Sequence, residues 1–344
     1  MTRPDSAFPA DPYPGAVPDC SFVHVDGTVH ELLPGPWRVG DVPIDEWLAA
    51  RDAPPAAARV PLLSYGSNRC PSKITWLRDA LGLGADPVVV LRARTTGVAA
   101  VWAAGHRARD GQRPATLAAA PGVEEEHAVW LATPAQIAVL DRCEGRDERF
   151  RLARLRTGTV RTEDGALVTE PWVYVGHSPA RAPLIVGGRP VRCADVAQAH
   201  ARVLRGEPGD DGLDAPTAVG APHPDAWPTA LFAYGLLQPG QVSWHHVEPH
   251  AAGPHRPARV AGSLLDTGHG YPAWLPGAAG AVPGTLIELG DPVTAFPAMD
   301  AYEGPDYVRV RAVTTDGTTC WAYAWRSPSE GFTALPTGWP PSTS

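Results

Sequence analysis

The sequence contains very little lysine, methionine or cysteine. Lys73 is the single lysine, and the 344 residues include 2 methionines and 5 cysteines. We attribute the scarcity of lysine to the coding genome and give it no functional weight. The cysteines are odd in number and show no Cys-x-x-Cys spacing, so neither a disulfide framework nor a zinc knuckle is expected. We interpret all five as reduced thiols: Cys20, Cys70, Cys143, Cys193 and Cys320.

Long runs of basic residues and long runs of apolar residues are also missing. The chain has no block of Lys and Arg, its formal net charge is -8, and its isoelectric point is near 5.8. Such a chain lacks the electrostatic footprint of a protein that binds nucleic acid or an anionic membrane. No stretch of about 18 apolar residues occurs, and the N-terminal residues do not have the pattern of a secretory signal. We expect a cytoplasmic protein with a small-molecule partner, no nucleic acid and no membrane.

The chain is long enough for two domains. Its 344 residues exceed what one hydrophobic core normally organises, although a single β-barrel of unusual size is an alternative. Residues 206–227 are rich in turn formers and have no apolar period, which is typical of a linker. The predicted parts are a Pro-rich N-terminal extension (1–58), a first domain (59–205), the linker (206–227), a second domain (228–327) and a tail (328–344).

Short β-rich runs dominate both predicted domains, and helical patterns are fewer. This indicates the α+β class, with a curved or closed sheet and a few helices in each domain. Within the extension we expect order at an apolar-polar stretch over 22–29 and a helix over 44–51. The other helices are predicted at Pro71–Leu81, Pro134–Cys143, Ala194–Leu204 and Val293–Tyr302.

The two halves repeat the same landmarks in the same order. Each begins with an apolar strand that ends in Tyr-Gly, and each later contains an Asp-x-x-Glu-Gly segment. Composition alone does not explain six ordered correspondences, so they indicate a domain duplication. The pairs are Tyr65-Gly66 with Tyr234-Gly235, Trp76 with Trp244, Arg94-x-x-Gly97 with Arg259-x-x-Gly262, Pro114-Ala115 with Pro272-Ala273, Glu144-Gly145 with Glu303-Gly304, and Trp172-x-Tyr174 with Trp321-x-Tyr323.

The two Tyr-Gly turns are candidate anion sites. A strand that runs straight into such a turn presents several backbone N–H groups, and glycine permits close approach and unusual dihedral angles. The alternative is that each glycine only terminates its strand. The candidate substrate-binding residues are Tyr65, Gly66, Ser67 and Asn68 in the first half and Tyr234, Gly235, Leu236 and Leu237 in the second.

Glu144 and Glu303 are the candidate catalytic residues. Each is predicted at the end of an apolar helix, with the following glycine as a cap. An acid at a helix C-terminus opposes the helix dipole, and this position or burial raises the carboxyl pKa. A raised pKa suits a group that moves protons near neutral pH. The alternative is a pair of solvated glutamates at helix ends.

The histidines between Trp244 and His255 raise the question of a metal site. Their spacing is not His-Glu-x-x-His, and Pro249 interrupts any helix that would carry ligands four residues apart. We therefore expect no metal and interpret this segment as a solvated helix.

The ordered set of motifs resembles the γ-glutamylcyclotransferase superfamily, including its AIG2-like and γ-glutamylamine cyclotransferase branches. The resemblance rests on Tyr-Gly-Ser-Asn with Glu144 and on Tyr-Gly-Leu-Leu with Gly-Tyr-Pro-Ala and Glu303, over 59–176 and 228–326. It implies two tandem small β-barrel-like domains with a few flanking helices and no cofactor. It also implies that Glu144 and Glu303 each act as a general acid and base.

The implied enzyme is a cyclotransferase of the C–N lyase (amidine lyase) class. It would release 5-oxoproline and a free amine from a γ-glutamyl amide or a γ-glutamyl-capped small molecule. The alternatives are an amidase or acyltransferase that uses the same glutamate, and a non-catalytic protein that binds small molecules.

Both halves depart from the family pattern. In the second half, Leu236-Leu237 lacks the small hydroxyl residue usual in the family, and the first half has Arg113-Pro114-Ala115 in place of Gly-Tyr-Pro-Ala. Either both sites turn over or one is silent.

Overall fold

The computed structural model describes residues 1–340, apart from the side chains of residues 278 and 279. The last four residues of the predicted tail, 341–344, lie outside the described residues. The chain divides into two compact units, Met1–Pro224 and Asp225–Ser344. Both are mixed α+β structures with few helices. Along residues 1–340, no helix is both long and apolar enough to cross a bilayer.

Unit 1 is built mainly from strands. Its elements are β1 (Thr2–Pro4), β2 (Phe22–Val25), β3 (Thr28–Leu33), β4 (Arg38–Val39), β5 (Val42–Pro43), α1 (Ile44–Ala49), β6 (Val60–Ser64), α2 (Pro71–Leu81), β7 (Val88–Trp102), β8 (Ala115–Ala132), α3 (Pro134–Glu144), β9 (Phe150–Arg154), β10 (Thr159–Thr162), β11 (Trp172–Gly176), β12 (Leu184–Val186), β13 (Arg189–Pro190), α4 (Gln198–Ala201) and β14 (Glu207–Pro208).

The main sheet of unit 1 has the order β5-β4-β3-β2-β7-β8-β6-β11-β9, with β1 on β3 and β10 on β7. Strand β6 lies between an antiparallel neighbour, β8, and a parallel neighbour, β11, and all five of its residues are buried. This explains its nearly unbroken apolar sequence, which is typical of a strand covered on both faces. The turn after β6 therefore leaves the sheet at a rigid, central place.

Unit 1 also includes the Pro-rich extension and most of the predicted linker, 206–227. In the extension, β2 pairs with β7 through Phe22 and Val90, and after residue 205 the strand β14 pairs with β12. These strands are short, so they leave little periodic signal in the sequence. The helix predicted at Ala194–Leu204 shrinks to α4, because Ala197 is extended and the Gln198 side chain accepts a hydrogen bond from the Arg113 backbone.

Unit 2 is smaller and has one sheet. Its order is β18-β19-β15-β17-β16-β20, and the apolar core includes Phe232, Trp274 and Leu286. Helix α5 follows the long hairpin. The elements are β15 (Ala230–Ala233), β16 (Arg256–Asp266), β17 (Pro272–Glu288), α5 (Pro292–Glu303), β18 (Tyr307–Val313), β19 (Thr319–Trp325) and β20 (Thr333–Ala334).

Five strands of each unit follow one plan. The order β7-β8-β6-β11-β9 in unit 1 corresponds to β16-β17-β15-β19-β18 in unit 2. The parallel pair has the same register in both, with Trp172 opposite Leu62 and Trp321 opposite Leu231. The glycine of each Arg-x-x-Gly motif lies at the bulge of its long hairpin and has a positive φ. The Trp-x-Tyr and Arg-x-x-Gly landmarks therefore occupy equivalent positions in the two sheets.

Candidate active sites

The first candidate site is a cavity of about 450 Å³ in unit 1. Strand β6 ends at Ser64, Tyr65-Gly66 makes the turn, and Ser67–Arg69 forms a short 3-10 helix before α2. All four residues proposed from the turn line the cavity, and Glu144 lines it as well. The structure therefore brings together every candidate residue of the first half.

Local capping places Glu144 at the cavity. Helix α3 begins with a capping box, in which Thr133 and Gln136 exchange side-chain to backbone hydrogen bonds of 3.2 and 3.1 Å. It ends at Gly145, which adopts the left-handed conformation that glycine favours. Both ends of the helix are thus fixed by sequence, and Glu144 occupies its last residue.

The carboxylate of Glu144 has one hydrogen-bond donor in the described residues. The Asn68 side-chain amide donates to its Oε1 at 2.8 Å, while the buried Oδ1 of Asn68 has no partner among residues 1–340. Burial raises the pKa of Glu144, whereas Asn68 and the nearby charges of Lys73 and Arg149 act against the increase. Burial outweighs them, although the residue keeps some access to the open cavity. The raised pKa expected from the sequence is present.

Tyr65 supports the site from behind. Its hydroxyl donates to the Tyr174 backbone carbonyl at 2.5 Å, and the Tyr174 hydroxyl donates to Asp141 at 2.6 Å. Burial raises the pKa of Tyr65 well above its ordinary value. The hydroxyl of Tyr65 is therefore neutral and is already used to join β6 to β11.

Neither Gly66 nor Gly235 has a positive φ, so the backbone conformation does not require glycine at these positions. Glycine is required because a side chain would collide with a neighbouring residue. A Cβ on Gly66 would lie 2.8 Å from the Tyr13 hydroxyl oxygen, and one on Gly235 would lie 2.8 Å from Cγ of Pro272. The sequence argument from close approach applies here, and the argument from unusual dihedral angles does not. Tyr13 belongs to the N-terminal extension, and its hydroxyl accepts a hydrogen bond from the Ala115 backbone at 3.0 Å.

Sequence reasoning missed several residues that line the first cavity. They come from separate segments, and apart from Trp76, which is one of the repeated landmarks, they belong to no motif. The one signal that could have singled out Lys73 was that it is the only lysine in the chain. The missed residues are an aromatic pair, Tyr13 and Trp76, and the cations Lys73, Arg107, Arg109, Arg142, Arg149 and Arg181.

The second candidate site is a cavity of about 310 Å³ in unit 2. The turn residues Tyr234, Gly235, Leu236 and Leu237 line it together with Glu303. The rest of the wall is mainly aromatic and acidic and includes Tyr271, Tyr302, Tyr307, Tyr323 and Asp306. The landmark residue Trp244 does not line this cavity, whereas its counterpart in unit 1, Trp76, lines the first one.

Glu303 has the same place in its unit but a different environment. Helix α5 starts at Asp291, whose side chain accepts a 3.1 Å hydrogen bond from the Val293 backbone, and it ends before Gly304. Within residues 1–340, no side chain or backbone group donates a hydrogen bond to the Glu303 carboxylate. Burial, with a smaller contribution from the charge of Asp300, raises the pKa of Glu303 to about 8.

The tyrosine pair of unit 1 recurs in unit 2. The Tyr234 hydroxyl donates to the Tyr323 carbonyl at 2.7 Å, and the Tyr323 hydroxyl donates to Asp300 at 2.7 Å. Asp300 also accepts a hydrogen bond from Arg309 at 3.0 Å. The two sites therefore share their supporting contacts and differ in what surrounds the glutamate.

The histidine segment of unit 2 forms two short 3-10 turns, Trp244–His246 and Glu248–His250, where the sequence predicted one solvated helix. Pro249 explains the break between them, since proline cannot donate a hydrogen bond within a helix. In the part of the chain that the structure describes, no three potential metal ligands converge.

Comparison with known proteins identifies a relationship in unit 2. Residues 231–340 match the family model described as gamma-glutamyl cyclotransferase, AIG2-like, and this match does not include unit 1. A search of curated proteins found no match. The matched region begins in β15 and contains both the Tyr-Gly turn and Glu303.

Several solved structures are similar to parts of the chain. A uropathogenic E. coli-specific protein has 19% identity over 31% of this chain and 87% of that chain, with a TM-score of 0.28. An uncharacterized protein from Pyrococcus horikoshii has 17% identity over 31% of this chain and 86% of that chain, with a TM-score of 0.27. An AIG2-like protein from Mus musculus has 20% identity over 30% of this chain and 80% of that chain, with a TM-score of 0.26. On the family match, residues 231–340 of unit 2 have an AIG2-like fold.

Proposed function

We propose that the chain is a γ-glutamylcyclotransferase-type enzyme of the C–N lyase class, which releases 5-oxoproline and a free amine from a γ-glutamyl amide. One observation carries the proposal: in each unit, a glutamate in the last turn of a helix lines the same cavity as the Tyr-Gly turn. The family match supports the reaction class for unit 2. The shared strand order and register support extending it to unit 1 as a tandem copy.

The first step creates the nucleophile. A γ-glutamyl amide carries its own α-ammonium group, and Glu144 or Glu303 in its ionised form removes one proton from it. The amine then attacks the γ-carbonyl carbon of the same molecule. Because the attack is intramolecular, holding the substrate folded supplies much of the rate enhancement.

The second step stabilises the negative charge that develops on the carbonyl oxygen. The N–H groups of Ser67 and Asn68 begin a 3-10 helix, and the first N–H groups of a helix have no acceptor within it. Such fixed donors favour an oxyanion without reorganisation during the reaction. In unit 2 the corresponding N–H groups belong to Leu236 and Leu237.

The third step breaks the amide bond. The protonated glutamate donates its proton to the leaving nitrogen, and the bond between this nitrogen and the γ-carbon breaks as the carbonyl reforms. The ring nitrogen loses its second proton to solvent, which also protonates the released amine. The glutamate is again ionised, no electrons are transferred, and no cofactor is consumed.

The test is product analysis with a panel of γ-glutamyl amides. We expect wild-type protein to release 5-oxoproline and the double variant Glu144→Gln/Glu303→Gln to lose at least about 100-fold in rate, as is typical for loss of a general acid and base. Matched controls are Glu148→Gln and Glu330→Gln, which change exposed glutamates outside both cavities. Mass spectrometry distinguishes 5-oxoproline from free glutamate.

Two results would overturn the proposal. Unchanged release of 5-oxoproline by the double variant would remove both glutamates from the mechanism. Release of glutamate in place of 5-oxoproline would identify an amidase, because water and not the α-amine would then be the nucleophile.

A further inference from the structure

The N-terminal extension contributes a hydroxyl group to the cavity of unit 1. Tyr13 lines this cavity, and its hydroxyl oxygen accepts a hydrogen bond from the Ala115 backbone N–H at 3.0 Å. Among residues 1–340, no side chain or carbonyl accepts a hydrogen bond from this hydroxyl. A tyrosine hydroxyl both accepts and donates, so its proton is left for a ligand in the cavity.

Tyr13 is held in position on several sides. Its backbone N–H donates to the side-chain oxygen of Gln112 at 2.9 Å, and its carbonyl accepts from the side-chain amide of Gln198 at 3.4 Å. The centre of its buried ring lies 4.6 Å from the guanidinium carbon of Arg107. Burial raises the pKa of Tyr13, and the hydrogen bond from Ala115 acts against the increase without cancelling it. The hydroxyl is therefore neutral at pH 7 and keeps the proton that it would donate.

The Tyr13 hydroxyl lies beside the turn that carries the proposed oxyanion donors. A Cβ on Gly66 would lie 2.8 Å from the hydroxyl oxygen. Ser67 and Asn68, whose N–H groups are those donors, follow Gly66 directly, and all these residues line the cavity. One side-chain donor and two backbone donors thus border the same part of the cavity. Fixed donors of this kind stabilise an oxygen that gains negative charge during a reaction.

The repeated Pro-Ala landmark shows that unit 1 lacks a tyrosine that unit 2 has. In unit 2 the residue before Pro272-Ala273 is Tyr271, which lines the cavity. The equivalent residue of unit 1, Arg113, is buried and does not line the cavity, because its guanidinium group donates to backbone carbonyls of its own unit. Tyr13 reaches the same landmark from the extension through its hydrogen bond with Ala115.

We propose that Tyr13 is a further catalytic residue of the unit 1 site and donates a hydrogen bond to the γ-carbonyl oxygen of the substrate as this oxygen gains negative charge. The inference rests on the proposed function and adds a third oxyanion donor to one of its two sites. The N–H of Ala115 polarises the Tyr13 hydroxyl, because hydrogen bonds in a chain strengthen one another. The donor comes from the extension, outside residues 59–176 that carry the family resemblance.

The experiment uses the full chain with Glu303→Gln, so that unit 1 is the working site. Tyr13→Phe removes the hydroxyl and keeps the ring. Ser72→Ala is the matched control, because it removes a 2.8 Å hydrogen bond between α2 and the Asp5 carbonyl of the extension, and Ser72 does not line the cavity. Two substrates are compared: the γ-glutamyl amide of the panel that reacts fastest, and the same compound with sulfur in place of the γ-carbonyl oxygen. Sulfur is the weaker hydrogen-bond acceptor.

For the oxygen substrate we expect Tyr13→Phe to lower kcat at least about tenfold with little change in KM, since an oxyanion donor acts mainly in the transition state. The loss should be smaller for the sulfur substrate, and Ser72→Ala should change neither rate. Gly66→Ala is the second variant if Tyr13→Phe does not fold, because its Cβ displaces the same hydroxyl. It should show the same difference between the two substrates.

An unchanged kcat in Tyr13→Phe, or an equal loss with both substrates, overturns the inference while 5-oxoproline release leaves the proposed function intact. Activity in Glu144→Gln with none in Glu303→Gln also overturns it, because unit 1 would then be silent.

If no γ-glutamyl amide yields 5-oxoproline, the proposed function fails, and calorimetry with 5-oxoproline itself then tests the hydrogen bond. The ring carbonyl of 5-oxoproline corresponds to the γ-carbonyl of the substrate. Weaker binding by Tyr13→Phe than by the parent chain would support the assignment of Tyr13 as a donor. Equal binding by the two proteins, or no binding by either, would overturn it.

Discussion

The two cavities have the same scaffold and opposite electrostatics. Each glutamate ends a helix before a glycine, and each lines its cavity with a Tyr-Gly turn whose tyrosine is anchored to the neighbouring parallel strand. Glu144, however, has an amide donor and nearby cations, whereas Glu303 has no donor among the described residues and has Asp300 as its charged neighbour. The backbone plan therefore fixes where the carboxylate lies, and the side chains around it fix its proton affinity.

The largest expected effect concerns which site works at neutral pH. With a pKa of about 8, about a tenth of Glu303 is ionised at pH 7. Asn68, Lys73 and Arg149 act to lower the pKa of Glu144, and no such group among the described residues acts on Glu303. For a substrate that both sites accept, Glu144→Gln should accordingly reduce total 5-oxoproline release at pH 7 more than Glu303→Gln does. Initial rates at pH 7 and pH 9 test this, because the difference should shrink at pH 9. Equal losses at both values would contradict the comparison.

A reciprocal exchange of turn residues tests the cause of that difference. Asn68 and Leu237 occupy equivalent places after the Tyr-Gly turns, and both line their cavities. Asn68→Leu removes a donor that lowers the pKa of Glu144, so the acid limb of the unit 1 profile should move to higher pH. Leu237→Asn should move the unit 2 limb in the opposite direction.

Profiles of kcat/KM against pH, each in the chain with the other site inactivated, measure both shifts. Asn68→Asp is an informative control, because a second carboxylate should raise the pKa of Glu144 further. If the exchange leaves both limbs in place, the turn residue does not set the difference between the sites.

A smaller effect is expected on stability. The folded-state pKa of Glu303, about 8, lies above its ordinary value of 4.5, so its contribution to stability is complete below pH 4.5 and is lost as pH rises through about 8. Glu303→Gln should thus increase the free energy of unfolding at pH 9 by about 1–3 kcal/mol, after allowance for partial solvent access. The melting temperature at pH 9 should rise by several degrees as a result. At pH 5 it should change little. Calorimetry measures both melting temperatures, with Glu330→Gln as the control. An increase at pH 5 equal to that at pH 9 would show that the variant acts through packing and not through the charge of Glu303.

The smallest effect tests the likeness of the two scaffolds. Tyr174→Phe and Tyr323→Phe each remove one hydrogen bond to an aspartate, and each should cost about 1–2 kcal/mol. Chemical denaturation should give similar losses for the two variants. A loss confined to one of them would show that the equivalent contacts do not contribute equally.

The helices could be predicted from the sequence because the residues that begin, fill and end a helix are close together in the chain. Helix α2 has the predicted bounds Pro71–Leu81, and α3 ends one residue later than predicted, at Glu144. Helix α5 was also expected despite Pro297 within it, since its apolar residues and its final glycine dominate the pattern. The turn and the glutamate of each half could be paired because they occur in the same order twice.

The residues that line the first cavity could not be predicted from the sequence, because they come from segments far apart in the chain. Tyr13 reaches the Tyr-Gly turn from the N-terminal extension, and Lys73, Arg149 and Arg181 have no common spacing. Cations on a surface are usually solvated, so their sequence positions carry no signal of convergence. Only the pairing of strands far apart in the chain brings them to one place.

The pairing of β2 with β7 has a consequence for any attempt to isolate the first half of the chain. A fragment starting at residue 59 would lose Tyr13 from its cavity and would also lose the strand that covers Val88, Val89 and Val90. These valines are buried in the intact chain, and uncovering them would create a three-residue apolar stretch of sheet edge that is open to pairing with another copy. We therefore expect such a fragment to self-associate more readily than the intact chain, and its cavity would also be incomplete.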